Sequence, residues 1–319
     1  MVRIAILLGA VLVAALLASL PDSLQPSPQV SWAGSPPDLW STIGLSAKQP
    51  AGSDFICPMD RDVTSSAPGY CPRCRMKLVP AVLTSAEPKE YRVNLSSQPP
   101  VIKPGEDTEI TARIEDPETG SPVREFEIVH EKLYHFFVVS QDLVFFLHAH
   151  PQKQPDGSFR LKLRFPKPGM YRVLSDFYPK NATPQLVTGT LLAAGDGFKL
   201  QAAKLTADLA LQHGENTSVE LVMDPPHPLA HEKTRMFFRM KPNDEIEPYL
   251  GAMAHMLAAS SDLVDMMHNH PLMSADARDY KELQFKMVFP RAGVYRIWIQ
   301  SQRKGVVNTV AFNVPVAER

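Results

Sequence analysis

The pattern of apolar and polar positions divides the chain into four kinds of segment. An uncharged, largely apolar stretch runs from Ile4 to Leu20, behind the single positive charge of Arg3. Residues 21–50 are rich in Pro, Ser and Ala and have no period, so they read as a linker. Residues 51–83 hold all the cysteines. Beyond them the apolar residues come in short runs bounded by turn residues, the signature of strands. Thr108–Ile114, Phe136–Ser140, Leu143–Ala149, Phe159–Phe165, Tyr171–Ser175 and Gln185–Leu192 are such runs, and Asp156-Gly157 marks a hairpin.

The strand-rich part repeats itself. Phe165-Pro166-Lys167-Pro168-Gly169-Met170-Tyr171-Arg172 returns as Phe289-Pro290-Arg291-Ala292-Gly293-Val294-Tyr295-Arg296. Gly105-Glu106-Asp107-Thr108 matches Gly214-Glu215-Asn216-Thr217. On these anchors the second copy carries insertions before His255 and between Pro271 and Phe289. The copies span 90–194 and 198–316. About seven strands in roughly 100 residues predicts an immunoglobulin-like β-sandwich for each.

Composition adds limits. The chain has 319 residues, 44% hydrophobic and 21% charged, with a net charge of -1. Near-neutrality gives no electrostatic drive toward nucleic acid. The 30 prolines disfavour long helices. The N-terminal segment (residues 1–20) reads as a secretory signal, with Ser31-Trp32-Ala33 the best small-residue cleavage site by type. That site lies far downstream, so residues 4–20 are also read as an N-terminal membrane anchor. The expected location is the periplasm or another extracytoplasmic space.

Two histidine patterns carry the chemistry. His135, His148, His150 and Pro151 share the spacing His-x12-His-x-His-Pro with His255, His268, His270 and Pro271. In a strand, residues two apart share a face, so each His-x-His projects both imidazoles to one side. With Gln141-Asp142 and Ser261-Asp262 as two-residue hairpin tips, His135 falls opposite His148, and His255 opposite His268. Leu133 then faces His150, while Met253 faces His270 with Met266 on the same face. The expectation is two related sites, the second softened by a thioether from Met253. Met59, Met256, Met267 and Met273 lie near by in sequence. Imidazole suits copper, zinc and nickel, and thioether selects soft ions.

Cys57, Cys71 and Cys74 form a third cluster. Three cysteines within 18 residues, and none elsewhere, fit one metal better than a disulfide scaffold. Cys57-Pro58-Met59-Asp60 and Pro68-Gly69-Tyr70-Cys71-Pro72-Arg73-Cys74-Arg75-Met76 resemble the small heavy-metal-binding domain of periplasmic metal-efflux adaptors and copper-exporting P-type ATPases. Asp60 stands where that family has His, Arg61 where it has Pro, and Arg75 where it has Gly. The fourth ligand is therefore open among Met59, Asp60, Met76 and an exogenous group. The two repeats look like Ig-like domains of uncharacterised exported bacterial proteins that accompany such a module.

The leading expectation is an exported protein that binds copper or zinc and buffers the ion or delivers it to an efflux or assembly partner in the cell envelope. A copper- or zinc-dependent enzyme on a three-histidine site is the alternative, and a metal-free structural scaffold is a third. Neither repeat has the cysteine a blue-copper site needs, and no histidine precedes His130 to form a terminal histidine brace. No nucleophile elbow, phosphate loop or dinucleotide fingerprint appears.

Overall fold

The strand signals become sheets in the computed structural model, which describes residues 54–57, 63–72, 76–81, 89–129, 131–196, 198–272 and 282–319. The signal or anchor segment, the linker, Met59, Asp60, Cys74 and Met273 lie outside the described residues. Among the described residues no helix is long and apolar enough to cross a membrane.

A small sheet comes first: β1 (Phe55–Ile56) lies between β2 (Thr64–Ser65) and β3 (Val79–Pro80). The first repeat has β4 (Arg92–Gln98), β5 (Asp107–Glu115), β6 (Tyr134–Ser140), β7 (Phe146–Ala149), β8 (Gln152–Lys153), β9 (Phe159–Arg164), β10 (Gly169–Phe177) and β11 (Gln185–Ala193). They form two antiparallel sheets, ordered β4-β5-β9-β8 and β11-β10-β6-β7. That is the A-B-E-D and G-F-C-C′ strand order of an immunoglobulin-like sandwich.

The second repeat has β12 (Gln212–His213), β13 (Ser218–Asp224), β14 (Lys233–Lys241), β15 (Ile246–Glu247), β16 (Ala254–Ser260), β17 (Met266–Asn269), β18 (Glu282–Val288), β19 (Gly293–Arg303) and β20 (Val306–Val316). Its sheets are β12-β13-β14-β18 and a second in which β19 lies between β20 and β16, with β17 outside β16. Each repeat also has a tyrosine corner: Tyr171 donates to the Lys167 carbonyl at 2.8 Å, and Tyr295 to the Arg291 carbonyl at 3.0 Å.

One sequence anchor is displaced. The amide of Gly105 donates to the Phe165 carbonyl, and in the second repeat the amide of His231, not Gly214, donates to the Phe289 carbonyl, both at 2.8 Å. Gly105 and His231 both have positive φ, 78° and 64°. Thr108 and Thr234 follow them, both fully buried. The counterpart of Gly105–Thr108 is therefore 231–234, and Gly214-Glu215-Asn216-Thr217 instead precedes the second repeat's β13. On the corrected anchor the insertion before His255 disappears, and the first repeat is the longer one there.

The strands β6 and β16 explain how the repeats meet. Both are buried along their whole length. Alternation sends Tyr134, Phe136 and Val138 into the first sandwich core, and Ala254, Met256 and Ala258 into the second. The opposite faces send Phe137 and Val139, with Leu257 and Ala259, into a shared apolar cluster that also holds Leu143, Leu174, Leu263, Met266 and Trp298. Phe146 of the first repeat stacks on Trp298 of the second, ring centroids 5.0 Å apart. Each fully buried side chain of this size contributes about 1.5–3 kcal/mol. An apolar interface of this kind holds the repeats together as one body.

Candidate metal centre

The histidines lie at one end of this interface. The hairpin tip is a four-residue loop, Gln141-Asp142-Leu143-Val144, not a two-residue turn. Asp142 Oδ1 accepts from the Ser140 hydroxyl at 2.6 Å and the Val144 amide at 3.3 Å, and Leu143 takes a left-handed φ of 59°. Asp262 does the same with Ser260 and Val264, and Leu263 has φ 57°. The loop centre sits one residue later than the spacing suggests, so the register moves by two. Phe137 pairs His148, and Leu257 pairs His268. One step further, His135 lies opposite His150 and His255 opposite His270. A shift of two keeps every side chain on its face, so the imidazoles still converge while their expected partners change.

The methionine expectation changes with the register. Met253 precedes β16 and follows the tight Tyr249–Ala252 turn, so strand alternation does not extend to it. It packs in the second repeat's core, and Leu133 packs against the first's. Met266 belongs to the shared apolar cluster, Met256 to the second core, and Met267 packs against that core.

The larger departure is that the two triads meet. Rings of His135 and His255 lie 5.7 Å apart, and those of His148 and His255 5.0 Å, as close as rings within one triad. Ligand nitrogens of His135, His148 and His255 fall within 4.8 Å of one another, as do those of His255, His268 and His270. One histidine, His255, thus belongs to both groups. Five of the six are buried, and His150 is half-buried beside a cleft lined by Glu109, Gln152 and Arg160.

Outer partners fix the tautomers. His135 Nε2 lies 3.1 Å from the Val129 carbonyl, and His255 Nε2 2.9 Å from the Tyr249 carbonyl. A carbonyl only accepts, so both Nε2 atoms carry the proton and both Nδ1 atoms present a lone pair. His148 Nδ1 donates to Gln300 Oε1 at 2.9 Å, while Gln300 Nε2 donates to Thr309. His268 Nδ1 donates to Asp176 Oδ2 at 2.6 Å. The Nε2 atom of His148, and that of His268 when its ring is neutral, therefore also presents a lone pair.

These lone pairs face one another. His135 Nδ1 is 3.2 Å from His148 Nε2, and His255 Nδ1 is 3.4 Å from His268 Nε2; His150 Nε2, whose tautomer is not fixed by an outer partner among the described contacts, lies 3.1 Å from His135 Nδ1. A shared proton does not bridge the first pair near neutrality. Burial and the neighbouring rings push His135 down to about 3 and His148 down to about 2, and hold His255 well below its ordinary value. A Lewis acid satisfies the arrangement. Metal–nitrogen bonds of 2.0–2.1 Å in a tetrahedron place the nitrogens about 3.3 Å apart. The donor set therefore fits a borderline transition-metal ion.

The cysteine module packs beside this centre. Cys57, Cys71, Met76 and Leu78 form one buried cluster against Phe55, Val63 and Val129. The Cys71 amide donates to the Met76 carbonyl at 2.8 Å and closes the knuckle. Ile56, Val79 and Ala81 pack on Tyr178 and Val129 of the first repeat, and Lys77 pairs with Glu127 at 3.2 Å. Val129 thus touches the cysteine cluster with its side chain and holds His135 with its carbonyl.

Sequence reasoning missed Asp176 and Gln300. Both sit five residues after the repeated tyrosine, at equivalent places in the two repeats, and that was a legible signal.

With this geometry in hand, relatives place the chain. It belongs to a family described as a domain of unknown function (DUF8832), whose model matches it twice, over residues 85–190 and 212–318. Residues 55–81 match a heavy metal binding domain. The chain is thus a heavy-metal-binding domain followed by two Ig-like repeats, with histidine clusters that could hold a metal ion. No curated protein matches it.

Among solved structures it is similar to the Escherichia coli adhesin FdeC at 15% identity, over 72% of this chain and 65% of that one, with a TM-score of 0.24. The Yersinia pseudotuberculosis adhesin InvE gives 8% identity over 70% and 58%, TM-score 0.22. A two-domain fibronectin type-III segment of chicken tenascin gives 10% identity over 72% and 99%, TM-score 0.21. The chain spans less than two thirds of either adhesin structure. At such scores these likenesses carry no argument, and the fold assignment rests on strand order and the tyrosine corners.

Proposed function

We propose that this chain is an exported metal-binding protein that handles copper, or else zinc, and either buffers the ion or delivers it to an efflux or assembly partner in the cell envelope. The observation that carries the reading is two pairs of inward-facing nitrogens, His135 with His148 and His255 with His268, each ring held by an outer hydrogen bond and each pair spaced like two ligands of one ion. Outer partners of this kind are the usual complement of metal-bound imidazole. Cys57, Cys71 and Cys74, with Met59, Asp60 or Met76 as candidates for the fourth position, form a second, softer site. Met253 is a core residue in this reading.

Delivery is supported by adjacency. The thiolate module packs on the turn that holds His135, so an ion leaving the cysteines has a histidine acceptor close by. Export is supported by the apolar segment from Ile4 to Leu20 behind Arg3.

The test is metal content. The purified full chain is equilibrated with Cu(I), Cu(II) or Zn(II), desalted and analysed for bound metal. Stoichiometric metal that falls when His135, His148, His255 and His268 are replaced by Asn supports the reading. Absence of bound metal returns the chain to a structural scaffold.

A further inference from the structure

We propose that the six-histidine cluster is a dinuclear centre, taking two ions side by side, one on each repeat's triad. This rests on the metal-binding reading above. The cluster has two foci. One surrounds His135 Nδ1, with His148 Nε2 at 3.2 Å and His150 Nε2 at 3.1 Å. The other surrounds His255 Nδ1, with His268 Nε2 at 3.4 Å and a ligand nitrogen of His270 within 4.8 Å. A single tetrahedral ion takes at most four of these donors. At least two of the six histidines would then keep a ring beside the ion without bonding it.

The outer shell is duplicated as well. A backbone carbonyl holds the first histidine of each triad, Val129 for His135 and Tyr249 for His255. A side chain from the other repeat holds the second, Gln300 for His148 and Asp176 for His268. Two complete sets of orienting groups argue for two ions. The foci adjoin, because His255 also lies within 4.8 Å of His135 and His148 at its ligand nitrogens. Paired metal ions in proteins sit at similar range, about 3.5–4 Å apart.

Charge selects the ion. Asp176 brings one negative charge to these rings through His268. Two divalent ions would bring four positive charges into a buried site, and two monovalent ions only two, a far smaller desolvation penalty. The pair is therefore of the Cu(I) class. The halves are not equal: the ion on the second triad binds first, because its His268 is hydrogen-bonded to a carboxylate and His148 only to a neutral amide.

The experiment counts ions under anaerobic Cu(I) titration against a competing chelator, with elemental analysis after desalting. The unaltered full chain is compared with a variant carrying Asn at His135, His148, His255 and His268, its fold checked by near-ultraviolet circular dichroism. A difference of two ions supports the pair. A difference of one overturns the pair and leaves a mononuclear histidine site. A difference of zero overturns metal binding by the histidines. A chain with Cys57, Cys71 and Cys74 replaced by Ser gives the same count directly and serves if the asparagine variant does not fold: two ions support the pair, one overturns it, and none overturns metal binding by the histidines.

Discussion

Asp176 and Gln300 hold equivalent places in the two repeats, and each crosses the interface to orient the other repeat's histidine. Asp176 Oδ2 is 2.6 Å from His268 Nδ1, and Gln300 Oε1 is 2.9 Å from His148 Nδ1. Asp176 pairs with His135 across its own sheet, and Gln300 with His255. The exchange makes neither triad complete without the other repeat. Substituting Asp176→Asn keeps an acceptor but removes the charge that strengthens His268 as a ligand. Metal affinity is expected to fall about 10–100-fold, read by chelator competition, and an unchanged affinity would show that Asp176 plays no part.

The interface itself is testable without touching a histidine. Trp298 stacks on Phe146 in the shared apolar cluster. Trp298→Ala is expected to cost about 3–5 kcal/mol in urea unfolding. It should also weaken metal binding, because the centre needs both sheets held in place. A destabilised variant with native affinity would separate the interface from the site.

Met253→Leu distinguishes core filler from ligand. A volume-conserving swap in a core costs under about 1.5 kcal/mol. Metal affinity at the histidine centre is expected to stay as in the unaltered chain. A marked loss of Cu(I) affinity would restore Met253 as a thioether ligand.

Stability without metal depends on pH with a definite sign. Burial and neighbouring rings lower His135 to about 3 and His148 to about 2, whereas an unfolded histidine titrates near 6.5, within roughly a unit. Between those values the unfolded chain binds protons that the folded chain refuses, so stability rises with pH there. The metal-free chain should be fully stable above about pH 7 and lose about 3 kcal/mol for the pair by about pH 5.5. Urea unfolding at the two pH values checks this, and a flat profile would contradict it.

The fold was largely legible because its signals are local. Short apolar runs and the repeated Pro-x-x-Gly-x-Tyr-Arg-type segment announce strands and duplication, and β5, β9, β10 and β11 fall on the expected stretches. The start of the second repeat was misread because Gly214-Glu215-Asn216-Thr217 copies residue types, while its structural counterpart 231–234 reaches a left-handed backbone with His231 instead of glycine. The hairpin register was off by two because a side chain, Asp142 or Asp262, caps a longer loop.

The candidate site was half legible. Spacing put three imidazoles on one face of each repeat, and that parity survives the register change. Nothing local in either triad says that the two faces meet. The trace of that meeting was the unbroken apolar runs Phe136–Val139 and Met256–Ala259 within strands that have something to bury on both sides.

The central claim is that histidines of both repeats build one centre. Anomalous X-ray scattering from crystals of the metal-loaded full chain tests it most directly. The account predicts histidine-bound metal in the gap between the β6–β7 and β16–β17 hairpins, about 2.0–2.1 Å from ring nitrogens, with both repeats contributing to the one site. Metal confined to the cysteine module, or histidine-bound ions on separated repeats, would contradict it.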